Sequence, residues 1–231
     1  KPSSAASDVY KRQVFIGCTP ILSIDASTQN VYHFSDTDKN ISLLDISETF
    51  GTYDGSFVLY DNNLDSWKIY DLEEATKRIP PESTYKIYDA LLGLESGIIT
   101  PEHSSMTWNG DAFPFPSWEA DQDLNSAMQN SVNWYFQAID SQLGINRVQE
   151  FLNKIEYGNQ TTSSNLDLYW SDFSLKISPL EQVTLLKKFN TNEFHLNFQN
   201  VFSVKNAIKI ASTPNGNFCL LYTSPSPRDR S

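Results

Sequence analysis

The stretch STYKIYDALLGLE at residues 83–95 leaves the chain little freedom in its architecture. Tyr85, Ile87, Ala90, Leu91, Leu92 and Leu94 give it apolar side chains on most sides, and Pro81 and Ser83 suit a helix entry. A helix that is apolar nearly all round is buried, so the rest of the chain must supply its cover. Upstream, SFVLY (residues 56–60) and SWKIY (66–70) are β-branched and aromatic runs separated by DNNLD, the pattern of an antiparallel hairpin. Residues 76–81 break the pattern and end in two prolines, and residues 97–110 form a loop carrying Trp108.

Downstream, residues 125–143 carry Met128, Val132, Trp134, Tyr135, Phe136 and Ile139 at helical spacing, and Gly144 ends the run. The spacing predicts a short helix over 147–155, a turn-rich loop over 158–165 and an amphipathic helix over 180–189 with Pro179 just inside its start. A further helix is expected over 201–210, and Asn217–Phe218 would begin a strand. A hairpin, then helices, then a returning strand implies an α+β or α/β sandwich with an antiparallel sheet.

At 231 residues the chain suffices for one large domain or two small ones, and its 14 Phe, 11 Tyr and 5 Trp are ample for a core. A net charge of −11 argues against a general nucleic-acid binder, which needs clustered Lys and Arg on phosphates. Two cysteines exclude a disulfide-rich scaffold, and no apolar run reaches the ~18 residues of a membrane span.

The ends read differently from the middle. Residues 3–13 (SSAASDVYKRQ) and 219–229 (CLLYTSPSPRD) match translations of the two partner adapters of transposon-based sequencing, against the alternative of natural termini. Residues 1–13 and 219–231 are therefore expected to be foreign, and the fold to be truncated at its C-terminus. Setting them aside removes more basic than acidic residues, so the remainder is more acidic still. Residues 14–39 then comprise an apolar run, VFIGCTPILSI, and a polar linker. That run is either the tail of a membrane segment or a buried strand. Residues 40–218 are expected to form the domain.

Ser83 and Lys86 stand three apart, so on a helix they face the same way. A serine hydroxyl is a poor nucleophile until a base takes its proton, and a lysine is that base only when burial brings its pKa well below ~10.4. Alone, S-x-x-K equally describes a helix cap with an exposed lysine. His33, His103 and His195 are scattered without ligand spacing, so no metal is assigned. Glu73–Glu74 and Asp121–Asp123 read as solvated faces.

Further motifs give the pair its weight: PESTYKIYDALLGLESGII, MTWNG, DLNSAMQNSVNWYFQ, YGN, and YW followed by SLKISPLEQV, spread over residues 55–214. In order and spacing they resemble the penicillin-recognising serine enzymes, and within them the class D (OXA-type) β-lactamases and the sensor domains of BlaR/MecR antibiotic-responsive transducers. The resemblance implies an α+β fold of the β-lactamase and penicillin-binding transpeptidase type, an antiparallel sheet packed with helices plus a helical subdomain. It implies that Ser83 is the nucleophile that opens the β-lactam ring. Lys86 is its general base, which in this family takes up CO₂ as an N-carboxyl group; no other cofactor is implied. Ser131 relays a proton to the leaving nitrogen, Trp170 contacts the carboxylated lysine, and Tyr157 and Asn159 belong to the Y-G-N motif, whose role is more structural. Asn133, Trp170, Tyr157 and Asn159 are the residues expected on the substrate side.

Two departures bear on what that family member does. The K-T-G motif of the strand beside the nucleophile is absent from the sequence, and with it half of the oxyanion hole. The second motif reads S-V-N where class D enzymes have S-x-V. An amide at Asn133 can hydrogen-bond the lysine amine and favour its uncarboxylated state, which leaves an acyl adduct long-lived. That suits a receptor, and S-V-N is the sensor pattern. The resemblance therefore implies the extracellular β-lactam sensor domain of a resistance transducer, with β-lactams as covalent ligands, a cell membrane reached through an N-terminal region, and no nucleic acid. The alternative is a class D β-lactamase, secreted or lipid-anchored at Cys18. A cell-wall transpeptidase is the third reading.

Overall fold

In the computed structural model, residues 30–32, 40–214 and 216–219 are described. The expectations for residues 1–13, for the apolar run at 14–24 and for 220–231 lie outside them. Of the expected linker, residues 30–32 are described, and they pair with the chain: Arg78 N donates to Asn30 O at 2.8 Å and Tyr32 N to Thr76 O at 2.9 Å.

The chain divides into two compact units, interleaved in sequence. Residues up to 79 with 156–160 and 176–190 form the first, and 80–155, 161–175 and 191 onward the second. The first holds a three-stranded sheet of β1 (Asn40–Leu43), β2 (Phe57–Asp61) and β3 (Ser66–Tyr70), in the order β1-β3-β2. The expected hairpin forms, with Phe57 opposite Tyr70 and Asp61 opposite Ser66. Asp61 closes its turn by accepting from Asn63 N at 2.9 Å and Leu64 N at 3.2 Å. The sheet is mixed, because β1 runs parallel to β3. Between β1 and β2 lies α1 (Ser47–Phe50), and after β3 comes α2 (Leu72–Thr76), capped by the Asp71 side chain on Glu74 N. Tyr60, Trp67, Ile69 and Ala75 form the buried core here, together with Leu180.

The second unit is mostly helical. A 3₁₀ turn (Glu82–Tyr85) leads into α3 (Lys86–Glu95), in which every residue from Lys86 to Leu94 is buried, as the apolar sequence requires. The run over 125–143 is not one helix. It forms α4 (Leu124–Gln129) and α5 (Asn133–Leu143), broken at residues 130–132. α4 begins in a reciprocal capping box, with Ser126 N donating to Asp123 at 2.8 Å and Asp123 N to Ser126 Oγ at 2.9 Å.

α6 (Ile145–Ile155) buries Val148, Phe151, Leu152 and Ile155, an i, i+3, i+4, i+7 stripe. α7 (Pro179–Thr191) belongs, but for its last residue, to the first unit, whose core Leu180 joins. α8 (Phe198–Ala207) is shorter than the helix expected over 201–210. Its backbone turns at Ile208 into β4 (Lys209–Thr213), which pairs antiparallel with β5 (Gly216–Cys219), the strand expected at Asn217–Phe218. α3 is packed by α5 and α8.

Candidate active site

The geometry of the site starts from the 3₁₀ turn. At three residues per turn, positions i and i+3 eclipse each other, so Ser83 and Lys86 stack more closely than on an α-helix. Lys86 Nζ lies 2.8 Å from Ser83 Oγ. The turn is entered through Glu82 at φ 50°, and Glu82 N donates to Trp170 O at 3.1 Å, so the segment carrying Trp170 is tied to the residue before the nucleophile. The Trp170 ring centroid is then 5.2 Å from Lys86 Nζ, and that of Phe136, from α5, is 5.9 Å away.

The break between α4 and α5 supplies the other half. Ser131 has φ 53°, in the left-handed region that costs a non-glycine residue of order 1 kcal/mol. The conformation is fixed on both sides: Val132 N donates to Ala127 O at 2.9 Å and Trp118 Nε1 to Asn130 O at 3.0 Å. It places Ser131 Oγ 2.9 Å from Ser83 Oγ, as donor to it, and 3.0 Å from Lys86 Nζ. Asn133, the first residue of α5, accepts from Lys86 Nζ through its Oδ1 at 2.7 Å.

Lys86 thus has three oxygens around one amine, at 1% exposure, with Ser83 equally buried. Burial lowers its pKa to about 7, against the opposing pull of Asp89 and Glu82, which favour the charged form. Near neutrality both forms are populated, and the hydrogen bonds serve both. The ammonium donates to all three partners. The neutral amine keeps an N–H on Asn133 Oδ1, which can only accept, and turns its lone pair to a hydroxyl. A hydroxyl between a neutral lysine and a second serine is a nucleophile with its base in contact.

Five of the residues singled out from sequence, Ser83, Lys86, Ser131, Asn133 and Trp170, therefore meet within the second unit. Tyr157 and Asn159 belong to the first unit and do a different task. Asn159 N donates to Lys176 O, and Lys176 N to Asn159 Oδ1, both at 2.9 Å. Gly158 between them sits at φ 53°, where a Cβ would overlap the Lys176 carbonyl. The Y-G-N triplet clips two segments of that unit together.

Sequence reasoning did not single out several residues of the site. Phe136 lies beside the amine. Trp118, in contact with Phe113 and Phe115, also accepts at its carbonyl from Trp134 Nε1 at 2.9 Å, so an aromatic wall supports the turn that carries Ser131. The readable signal was aromatic density around residues 113–136. Trp170 Nε1 is buried and finds no acceptor among the described residues. Two open hollows are lined by other residues, one by Tyr32, Arg78, Glu181 and Lys188 in the first unit and one by Leu92, Arg147, Glu150 and Lys154 in the second. Neither sets a nucleophile beside a base, so chemistry and not size locates the site. Among the described residues there is no group of three or more His, Cys, Asp or Glu that could hold a metal ion, and no helix long and apolar enough to cross a membrane.

Known proteins carry the same arrangement of sequence and fold. Regulatory protein BlaR1 of Bacillus licheniformis is 45% identical over 194 residues, which cover 83% of this chain and 32% of that protein. The chain thus spans about a third of the length of the curated relatives it matches first. The solved C-terminal domain of the Bacillus licheniformis BlaR penicillin-receptor superposes with a TM-score of 0.74 at 44% identity, over 78% of this chain and 74% of that one. A class D β-lactamase from Bacillus subtilis gives a TM-score of 0.71 at 33% identity, over 74% of this chain and 72% of that one. The α+β architecture is that of these penicillin-recognising proteins. With the family described as penicillin binding protein transpeptidase domain matching residues 45–217, the chain belongs to that family.

Proposed function

We propose that this chain is a β-lactam sensor domain, acylated on Ser83 and slow to release the acyl group. The observation that carries the reading is the amine of Lys86 held at once by Ser83, Ser131 and Asn133. The neutral amine takes the Ser83 hydroxyl proton as Ser83 Oγ bonds to the lactam carbonyl carbon. The C–N bond of the ring breaks, and the proton passes from Lys86 through the Ser131 hydroxyl to the departing nitrogen. The ester on Ser83 then needs a base-activated water for hydrolysis. Asn133 Oδ1 holds one N–H of the amine and supports its free form. The unpaired Trp170 N–H suits an oxygen of an N-carboxyl group on Lys86, but Asn133 Oδ1 is an acceptor where that group would also put acceptors, so this site favours the plain amine. Without a carboxylated lysine the hydrolytic water has no strong base, and the adduct persists.

Likeness to a penicillin receptor, beyond the likeness to class D enzymes, supports the same reading. In it the domain stands on the outer side of a cell membrane, attached through residues preceding position 40, and acylation is the signal passed on. The test is to mix the chain with benzylpenicillin and follow intact mass over hours. A one-to-one adduct that lasts, and that Ser83→Ala lacks, supports the sensor. Penicillin consumed in excess with no lasting adduct means a class D β-lactamase, the reading favoured by the second solved relative.

A further inference from the structure

Two aspartates are fully buried in the second unit and take no part in the acylation described above. Asp89 lies on α3 and Asp140 on α5, each 0% exposed. Asp89 comes one turn after Lys86, and residues three apart on a helix share a face. Asp140 lies two turns after Asn133 on α5, which packs on α3. Neither carboxyl has a backbone N–H or a well-aligned side-chain donor among the described residues, and the Tyr169 hydroxyl beside Asp140 is the one group that favours its charged form besides Asp89. Each faces the other, with the Tyr169 hydroxyl next to Asp140. Two dry carboxylates in contact repel, whereas one proton between them turns the contact into a strong O–H···O⁻ hydrogen bond. Burial pushes both well above the ordinary aspartate range; the charge of Asp140 adds to this at Asp89, whereas at Asp140 the hydrogen bonds with Tyr169 and Asp89 oppose it. The pair therefore holds one negative charge, and Asp89 is the nearer end of it to Lys86: among the charges acting on that amine, Asp89 comes first and Glu82 second.

We propose that Asp89 and Asp140 share a single proton beside Lys86, and that the resting place of that proton sets how much of Lys86 is neutral, making the two aspartates positioning residues for activation of Ser83. The inference rests on the reading of Lys86 as the base. A proton on Asp140 leaves the charge on Asp89, one turn from the amine, and favours ammonium. A proton on Asp89 moves the charge across to α5 and favours the neutral base.

Other groups around the pair fit this picture. From the segment 161–175 the pair meets Tyr169 and the charge of Asp167, and Tyr85 of the 3₁₀ turn stacks edge-on with Tyr169 at 5.5 Å. Tyr135 on α5 is within reach of the Asp89 charge. α6 turns apolar side chains to the interior, and α8 meets α3 through Asn200, whose amide donates to Glu95 at 2.7 Å, further along the helix than Asp89. Lys86 is the one basic group among those that face the pair from these elements.

The test uses the full chain with two isosteric variants, Asp89→Asn and Asp140→Asn, and two readouts. The midpoint of Lys86 is followed directly by NMR of its ε-methylene, and the rate of benzylpenicillin acylation is measured against pH. Asp89→Asn strands the charge on α5 and should lower the Lys86 midpoint by about one pH unit. Asp140→Asn fixes a full charge on Asp89 and should raise it by about as much, since a charge this close shifts a pKa by ~1–3 units. The two acylation profiles should move in the same opposed directions. A merely structural role would weaken both folds and leave both midpoints in place. Midpoints that stay put, or that move together, overturn the proposal. Should one variant fail to fold, the direction of the other decides. If the midpoints move apart as stated while no variant and not the parent forms an adduct, the proton-sharing pair stands and the sensor reading falls.

Discussion

Lys86 has three partners: Ser83 or Ser131, one at a time, can reverse its hydrogen bond to the single lone pair of the neutral amine, and Asn133 Oδ1 cannot. That asymmetry leads to two expectations. The first concerns pH. Burial holds the folded pKa of Lys86 at about 7, so the neutral base is the minority below that value and the majority above it. Acylation by benzylpenicillin should rise about tenfold per pH unit below pH 7 and level off above it, and stopped-flow rates between pH 5 and 9 would show an apparent midpoint near 7. A flat profile would mean that Lys86 is not the base. The second concerns lifetime. Asn133→Val frees the pinned N–H and dries the pocket, which favours uptake of CO₂ on the amine. In bicarbonate buffer the variant should lose its acyl adduct about 10² times faster or more than the parent, the scale of a general base restored. Equal lifetimes by intact mass would place the cause of slow deacylation elsewhere.

At the scale of elements, the site depends on α3 and α5 lying close. Gly93 of α3 is where they touch: a Cβ there would lie 2.9 Å from Ile139 Cγ2 and 3.1 Å from Ile139 Cδ1. Alanine is the better helix former by about 1 kcal/mol, but overpacking a filled core costs about 1–3 kcal/mol, so the clash should win. Gly93→Ala is expected to lower the urea midpoint and slow acylation, and Ile139→Val beside it to recover part of both. Full stability in the single variant would show that the helices have room to part. The same helices show what the sequence could tell. α3, α6 and α7 were legible because each is written in apolar periodicity, and the β2–β3 hairpin in alternation bounded by DNNLD. The break at residues 130–132 was not, because the apolar spacing runs through it and Asn130-Ser131-Val132 holds no Gly or Pro to mark it. α1, α2 and β1 are four or five residues long and too short for a period to show. Ile208–Ile210 extend the apolar pattern of α8, yet the chain there turns into β4. Within the site, Ser83, Lys86, Ser131, Asn133 and Trp170 were legible through their motifs. Asp89 and Asp140 were overlooked although each is an acid set in an apolar helical run, the one local sign that a buried helix carries more than packing.

For the whole molecule, buried ionisable groups become a dependence of stability on pH, and here two opposite arms are built into one unit. Asp140 has its pKa raised from 3.8 to about 8, chiefly by burial. The proton held between Asp140 and Asp89 is what lets the fold tolerate the buried pair, so its contribution is fully present below the unfolded value and is lost as pH rises through the folded one. Lys86 has its pKa lowered from 10.5 to about 7, again by burial. Below pH 7 it is charged in both states and the fold bears a buried cation. Between about 7 and 10.5 the unfolded chain binds the extra proton, so stability rises with pH. Each arm has a slope of about 1.4 kcal/mol per pH unit when one proton separates the two states. Stability should therefore fall from pH 5 towards neutrality and recover on the alkaline side, with its minimum near pH 7–8. The many surface carboxylates of a chain with net charge −11 add their own slope, but they are common to parent and variant and cancel in the difference. Asp140→Asn should flatten the acid arm, and Lys86→Met the alkaline one while raising stability at pH 7, as expected when a buried charge that serves chemistry is replaced by an apolar chain of similar length. Urea midpoints of parent and both variants at pH 5, 7 and 9 decide it. If Lys86→Met lowers stability at pH 7, the lysine is part of what holds the fold together, and its burial is not a cost borne for reactivity.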